Sequence, residues 1–182
     1  LDRAAIRVLE ELTGIRNVYL EQVKTFGKVN RHPYGRVITV AYLSLIKISR
    51  YSIQPASIAR KAKWHAVSEV KELAFDHMRL PPGCLDQLKK SVRSRPLGYQ
   101  LLPNKFTLTQ LQHLYEAILE TELDKRNFRK KILSMDLLVD LGEYQEGVAH
   151  RPAKLYQFDR DKYEGFLEEG FLLEVKVQDK VE

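Results

Sequence analysis

The sequence predicts an α+β protein built from two parts of different character. Three observations carry that expectation. A β-branched and aromatic run with no internal Gly or Pro extends from Arg36 to Ile48 in the first part. In the second part a capped amphipathic helix, a short turn, a second helix and a hairpin follow one another. Between them stand Pro81, Pro82 and Gly83, which punctuate a regular pattern.

A length of 182 residues allows one domain or two small ones. With 44% hydrophobic and 30% charged residues, the chain can build a core and is not a disordered one. A single cysteine, Cys84, excludes an intrachain disulfide framework and a Cys-rich zinc site. No apolar run reaches the roughly 18 residues of a membrane span, and no signal-peptide pattern opens the chain, so a cytoplasmic protein is expected. The net charge is +6, yet residues 159–182 hold eight acidic and four basic side chains. The remaining body is therefore strongly basic and suits an anionic partner, nucleic acid or a phosphorylated metabolite.

The first element is a helix over Leu1 to Thr13. Ala4, Ala5, Val8, Leu9 and Leu12 share one face, and Gly14 supplies a left-handed end. The first residue is not Met and leads directly into this helix, so further residues are expected ahead of it. Val18 to Phe26 reads as a partly alternating strand and Gly27 to Gly35 as a loop. Arg36 to Ile48 is the strongest strand, and Ala62 to Val67 a short one around Trp64, a residue expected in the core with His65 at a strand edge. Ser68 to Leu73 suits a helical turn or two. Asp76 and His77 are expected to cap or brace the joint between the two parts, with the boundary between Asp76 and Pro96 and a connecting helix over Leu85 to Val92. Cys84 reads as a linker residue. The predicted layout is a first domain over 1–80, a linker helix over 81–95, a second domain over 96–158 and an acidic tail over 159–182.

Thr107 and Gln110 form the two ends of a capping box. Leu111, Leu114, Tyr115, Ile118 and Leu119 continue as the stripe of an amphipathic helix. After the turn Glu120 to Leu123, Asp124 caps a second helix running to about Met135, and Leu123 and Phe128 are placed as a hydrophobic staple. Strands over Leu137 to Asp140 and Lys154 to Phe158 flank a polar loop. This is the order of a winged helix-turn-helix.

The second helix carries the chemistry. Asp124 to Leu133 contains five cations and one anion. At about 100° per residue, Phe128 and Ile132 face the core, Arg126, Asn127 and Lys130 the opposite side, and Lys125 and Arg129 the flanks. Arg can read guanine and Asn adenine with paired hydrogen bonds, while Lys suits phosphate. His150, Arg151 and Lys154 give the hairpin a basic end that suits backbone contact. The candidate DNA-binding set is Lys125, Arg126, Asn127, Arg129, Lys130, Arg151 and Lys154. The commoner meaning of an isolated basic helix face is solvated surface; its place in this pattern favours DNA. Tyr115, Tyr156 and Phe158 are spaced as core residues and not as base-stacking ones.

Arg7-Val-Leu-Glu-Glu-Leu-Thr-Gly-Ile15 resembles the second half of a Nudix box, whose helix presents carboxylates one turn apart to divalent cations. Here those three positions are Val8, Glu11 and Leu12, and a single carboxylate makes a poor Mg²⁺ site. The resemblance therefore implies no catalytic residue, no metal and no cofactor. Glu10 and Glu11 read as solvated, with Arg7 an ion-pair partner one turn away.

Four pieces extend the resemblance: Thr13 to Ile15, Arg31 to Tyr42 (RHPYGRVITVAY), Phe75-Asp76-His77 and Phe106 to Leu133, with Arg151 to Phe158 as a wing strand. Together they resemble the Nudix-related transcriptional regulators. The fold implied is a partial Nudix domain, an α/β/α sandwich, followed by a winged helix-turn-helix. The function implied is a repressor or activator that binds palindromic double-stranded operator DNA as a homodimer. Its Nudix domain would sense a small effector, either ADP-ribose or a pentose such as arabinose. The basic, aromatic loop Arg31, His32, Tyr34 and Arg36 is the candidate effector site; an ordinary surface loop reads equally well. Two further readings are a Nudix hydrolase using Mg²⁺ on ADP-ribose-like diphosphates, and a protein-interaction module docking through Phe166, Phe171, Leu172 and Leu173 of the tail.

Overall fold

A computed structural model describes residues 1–54, 59–94, 99, 101–149 and 151–169. The chain divides into two compact units, Leu1–Gln87 and Leu88–Glu182. Among the described residues no helix is long and apolar enough to cross a membrane.

The first unit opens with α1, Asp2–Thr13, as its periodicity predicts. Gly14 closes it at φ 74°, its N–H donating to the Glu10 carbonyl. Only glycine fits there, for two reasons. The backbone is left-handed, and a Cβ would stand 2.7 Å from the Gln54 carbonyl oxygen. Gly14→Ala is expected to cost about 1–2 kcal/mol from the backbone conformation alone, with the collision added. A denaturant midpoint equal to that of the unmodified chain would contradict this account.

Strands β1 (Glu21–Phe26) and β2 (Thr39–Leu43) pair antiparallel, with a bulge between Gln22 and Lys24. The run from Arg36 to Ile48 is thus a strand over five residues only, because β1 offers no partner beyond Glu21. Ile48–Arg50 turns instead into a 3-10 helix. The strand expected over Ala62 to Val67 does not form; no described segment pairs with it, and Val67–Glu69 is a 3-10 turn. Trp64 is accordingly 43% exposed and not a core residue. The apolar face of α1 is also shallow: the helix fully buries no residue, and Leu12 stays exposed. Among the described residues of this unit, only Ile15 and Ala41 are buried hydrophobics.

Helix α2 (Leu80–Ser94) starts earlier than its sequence suggests. Pro81 and Pro82 occupy its first turn, where an N–H has no partner within the helix and its loss costs nothing. They begin the helix where the sequence pattern placed a break. Cys84 lies half-buried in α2, and burial pushes its thiol up from its ordinary value.

The second unit holds the main core. Helix α3 (Leu108–Leu119) carries the full capping box: Gln110 N–H donates to Thr107 Oγ1, and Thr107 N–H donates to Gln110 Oε1. Helix α4 (Lys125–Ser134) starts at Asp124, whose Oδ1 accepts the Asn127 N–H at 2.7 Å. Strands β3 (Leu138–Tyr144) and β4 (Lys154–Phe158) form the hairpin. Phe106 adds a bridge to β4, exchanging both backbone hydrogen bonds with Tyr156 at 2.9 and 2.8 Å. Phe106, Leu111, Tyr115, Phe128, Ile132 and Phe158 are the centre of one buried cluster, to which Leu123 also belongs. Tyr115 and Phe158 are thus core residues, as their spacing predicts. Helix α5 (Arg160–Glu169) begins the acidic tail. The tail residues Phe171, Leu172 and Leu173, the side chain of Phe166, and His150 lie outside the described residues.

Candidate nucleic-acid interface and effector cavity

On α4 the burial of Phe128 (3% exposed) and Ile132 (4%) settles which face looks outward. Lys125, Arg126, Asn127 and Lys130 are all exposed. Phe128 packs edge-to-face on Tyr115 of α3, with ring centres 5.4 Å apart. The turn before α4 is held by side chains of α3. Gln112 Nε2 donates to the Leu123 carbonyl at 3.0 Å and to Glu116 Oε1 at 2.9 Å; the same Glu116 oxygen accepts the Leu123 N–H at 3.0 Å. Burial pushes the Glu116 carboxyl up, but these two donors together with the nearby His113 outweigh it and leave it below its ordinary value. The carboxylate therefore stays charged and keeps accepting at neutral pH.

Two members of the predicted DNA-binding set are less open than the sequence suggests. Arg129 is half-buried and donates through Nη2 to Thr109 Oγ1 at 3.1 Å. Its Nε is buried with no hydrogen-bond partner among the described residues. Lys154 donates to Asp140 Oδ2 at 2.8 Å, and that bond raises the Lys154 ammonium and lowers the Asp140 carboxyl from their ordinary values. Lys105 likewise pairs with Glu143. The hairpin is thus a mixed-charge surface with Arg151 exposed beyond its pairs, not a plainly basic one. Exposed pairs of this kind are weak, so Lys154 can exchange Asp140 for a phosphate.

In the first unit the structure places the four residues of the predicted effector loop in different surroundings. Arg31 is buried. Its Nε and Nη2 donate to the two Asp76 oxygens at 3.0 and 2.7 Å, and Nη1 donates to Thr39 Oγ1 at 2.6 Å. A guanidinium committed on three sides clamps the loop to Asp76 and Thr39. Asp76 accordingly braces this loop within the first unit. His32 lies between Tyr34 and Phe75, with ring centres at 5.6 and 4.3 Å. Tyr34 and Arg36 stand exposed.

The hydrogen bond from Arg31 holds the Asp76 carboxyl below its ordinary value. A folded-state pKa below the unfolded one stabilises the fold above the ordinary carboxylate range and is lost as the pH falls through the folded value. Asp76→Asn is expected to lower the denaturation midpoint at neutral pH, with the gap to the unmodified chain closing in acid. A gap that stays constant with pH would remove the charged pair as its cause.

None of the four loop residues lines the large cavity of this unit. That cavity, about 1060 Å³, is bounded by apolar side chains including Leu9, Ile15 and Leu43 and by Arg60, Lys61, Lys63, Trp64 and His65. Its cationic and aromatic wall escaped sequence reading because the segment looked like a strand. The short run Arg60-Lys-x-Lys-Trp-His65 was the available signal.

On α1, Glu11 pairs with Arg7 at 2.9 Å, as its one-turn spacing predicts, and Glu10 with Arg16 at 2.7 Å. Val8 and Leu12 stand where a metal-binding helix needs carboxylates. The donor set does not fit a Mg²⁺ ion, and among the described residues no three His, Cys, Asp or Glu side chains group together for one.

Residues 98–158 match the family model of the NrtR DNA-binding winged helix domain. The chain is 35% identical over 162 residues to the ADPR responsive transcriptional repressor NtrR of Acinetobacter baylyi, covering 88% of this chain and 64% of that protein. It thus spans a little under two thirds of that relative's length. The crystal structure of Shewanella oneidensis NrtR superposes with a TM-score of 0.70 at 32% identity, over 87% of this chain and 72% of that one. The same protein complexed with a 27mer DNA gives 0.74 at 29% identity, over 95% and 76%. A MutT/nudix family protein of Enterococcus faecalis, 22% identical, shares the fold with a TM-score of 0.63 over 85% of this chain and 66% of that one. With its capped helix pair, its wing and a relative matched across most of both chains, this chain belongs to the NrtR family of Nudix-related transcriptional regulators.

Proposed function

We propose that this chain is a transcriptional repressor that binds operator duplex through α4 and the hairpin and is controlled by an ADP-ribose-like nucleotide in its first unit. The observation that carries the reading is α4. Its apolar residues are buried against α3 while Lys125, Arg126, Asn127 and Lys130 face outward together. A helix so placed can enter the major groove, with Arg126 and Asn127 near its start at base edges and Lys125 and Lys130 at phosphates. Arg151 and Lys154 would contact backbone beside it. Two copies of the chain would bring two such helices to a palindromic site. The division is sensing within 1–80 and DNA reading within 96–158.

For the effector, the cavity supports a diphosphate better than a neutral pentose. Arg60, Lys61 and Lys63 supply positive charge and Trp64 an aromatic face for a base. Hydrolysis is not part of the reading, because with Val8 and Leu12 at two of the three box positions Glu11 is the one carboxylate among them.

The test is selection of duplexes from a randomised library, followed by titration with ADP-ribose or arabinose. The expected outcome is a palindromic motif whose complex dissociates with ADP-ribose and has the mass of two chains on one duplex. Lys61→Ala with Lys63→Ala should blunt the response, and Tyr34→Ala with Arg36→Ala should leave it intact; the reverse pattern would return the effector to the loop. A response to arabinose alone, or Mg²⁺-dependent cleavage of ADP-ribose, would overturn the corresponding part.

A further inference from the structure

We propose that Arg129 is a positioning residue for α4 and does not read DNA: it latches the helix to the first turn of α3. The inference rests on the DNA-binding reading above. Apolar packing of Phe128 and Ile132 settles which face of α4 looks outward but is non-directional, so it fixes the rotation about the helix axis less finely than a hydrogen bond does. Side-chain tips lie about 5–6 Å from a helix axis. A turn of roughly 20° moves them by about 2 Å, several times the tolerance of a hydrogen bond to a base. A directional tie is needed, and the structure contains one. Arg129 Nη2 donates to Thr109 Oγ1 at 3.1 Å. Thr109 is itself fixed, because the Thr107–Gln110 capping box locks the turn that carries it. Gln112 and Glu116 hold the Leu123 backbone at the other end, so α4 is tied at its entry and along its length.

The state of the guanidinium agrees. Reading guanine takes two N–H donors presented together into the groove. In Arg129, Nε is buried and Nη2 points at α3. The flank position that sequence periodicity assigns to this residue is thus turned inward, toward its own domain.

The experiment compares the unmodified chain with Thr109→Val, Thr109→Ser, Arg129→Gln and the Thr109→Val/Arg129→Gln double variant. The probe is the duplex that the unmodified chain selects from a randomised library, and its Kd is measured across a series of salt concentrations. Thr109→Val is close to isosteric and leaves every charge in place. The expected result is that Thr109→Val and Arg129→Gln each weaken binding about tenfold, the loss of one charge-assisted bond. The double variant should be no weaker than either, Thr109→Ser should restore binding, and the slope of log K against log salt should stay unchanged in all four. If Arg129 touches phosphate, Arg129→Gln will lower that slope by about one while Thr109→Val binds normally. That outcome, multiplying losses, or no loss in either single variant overturns the proposal. Thermal melts identify any variant that fails to fold; should Arg129→Gln do so, the Val and Ser variants at Thr109 decide alone. An unmodified chain that selects no duplex brings down the DNA-binding reading and this proposal with it, and is told apart by needing no variant.

Discussion

Replacing Arg126 and Lys130 together by Ala will erase the sequence motif selected by the unmodified chain and leave the fold intact. Both side chains are exposed on α4, away from Phe128 and Ile132, so no core contact is lost. Ala is the strongest helix former, so the helix itself should persist. Arg126, in the first turn after the Asp124 cap, is expected to read a base, and losing a paired Arg–guanine contact costs about 1–3 kcal/mol. Lys130 lies one turn on and is expected to meet phosphate, so its loss lowers the salt slope by about one. The combined effect is a fall in affinity of roughly a hundredfold or more, with residual binding indifferent to sequence. The check is the selection experiment with the double variant beside thermal melting. An unchanged motif would mean that α4 is a solvated face and that bases are read elsewhere.

Phe106→Ala should be among the most damaging single changes to stability. The ring has no solvent exposure and lies 4.9 Å from that of Phe158, and the residue's backbone ties the segment before α3 to β4 through Tyr156. Truncating a buried Phe costs about 3–5 kcal/mol, the lost transfer energy plus the cavity left behind. Against the roughly 5–15 kcal/mol that holds a typical domain folded, that is a large share. The measurement is urea or guanidinium unfolding of the whole chain, following the transition of the second unit. A loss under about 1 kcal/mol would show that the site collapses around the missing ring and is not the packed centre its burial implies. Trp64→Ala is the contrast. With 43% of its surface exposed, Trp64 should cost far less stability, and its effect should appear in the effector response.

The second unit was legible almost residue by residue. The capping box at Thr107 and Gln110, the Asp124 cap, the buried pair Phe128 and Ile132 and β4 stand where periodicity and turn chemistry put them, while β3 runs on past Asp140 to Tyr144, into the stretch expected as loop. The first unit was legible at α1 and its Gly14 end, and much less beyond. There a strand needs a partner, and Arg36 to Ile48 and Ala62 to Val67 look alike to a propensity argument although only part of the former is paired.

What the sequence by itself determined is what acts over one turn or one alternation: caps, the amphipathic stripe of α3, the outward cations of α4 and the Arg7–Glu11 pair. Each depends on residues three or four positions apart, a spacing the backbone geometry dictates before any folding occurs. What only the tertiary structure decided is which charges are already spoken for and where a ligand can sit. Arg31 meets Asp76 from 45 residues away, Arg129 meets Thr109 from 20, and Lys154 meets Asp140 from 14. The cavity joins side chains from Leu9 to His65. A charge is captured, or a wall completed, only when distant segments pack together, and local pattern carries no record of that encounter.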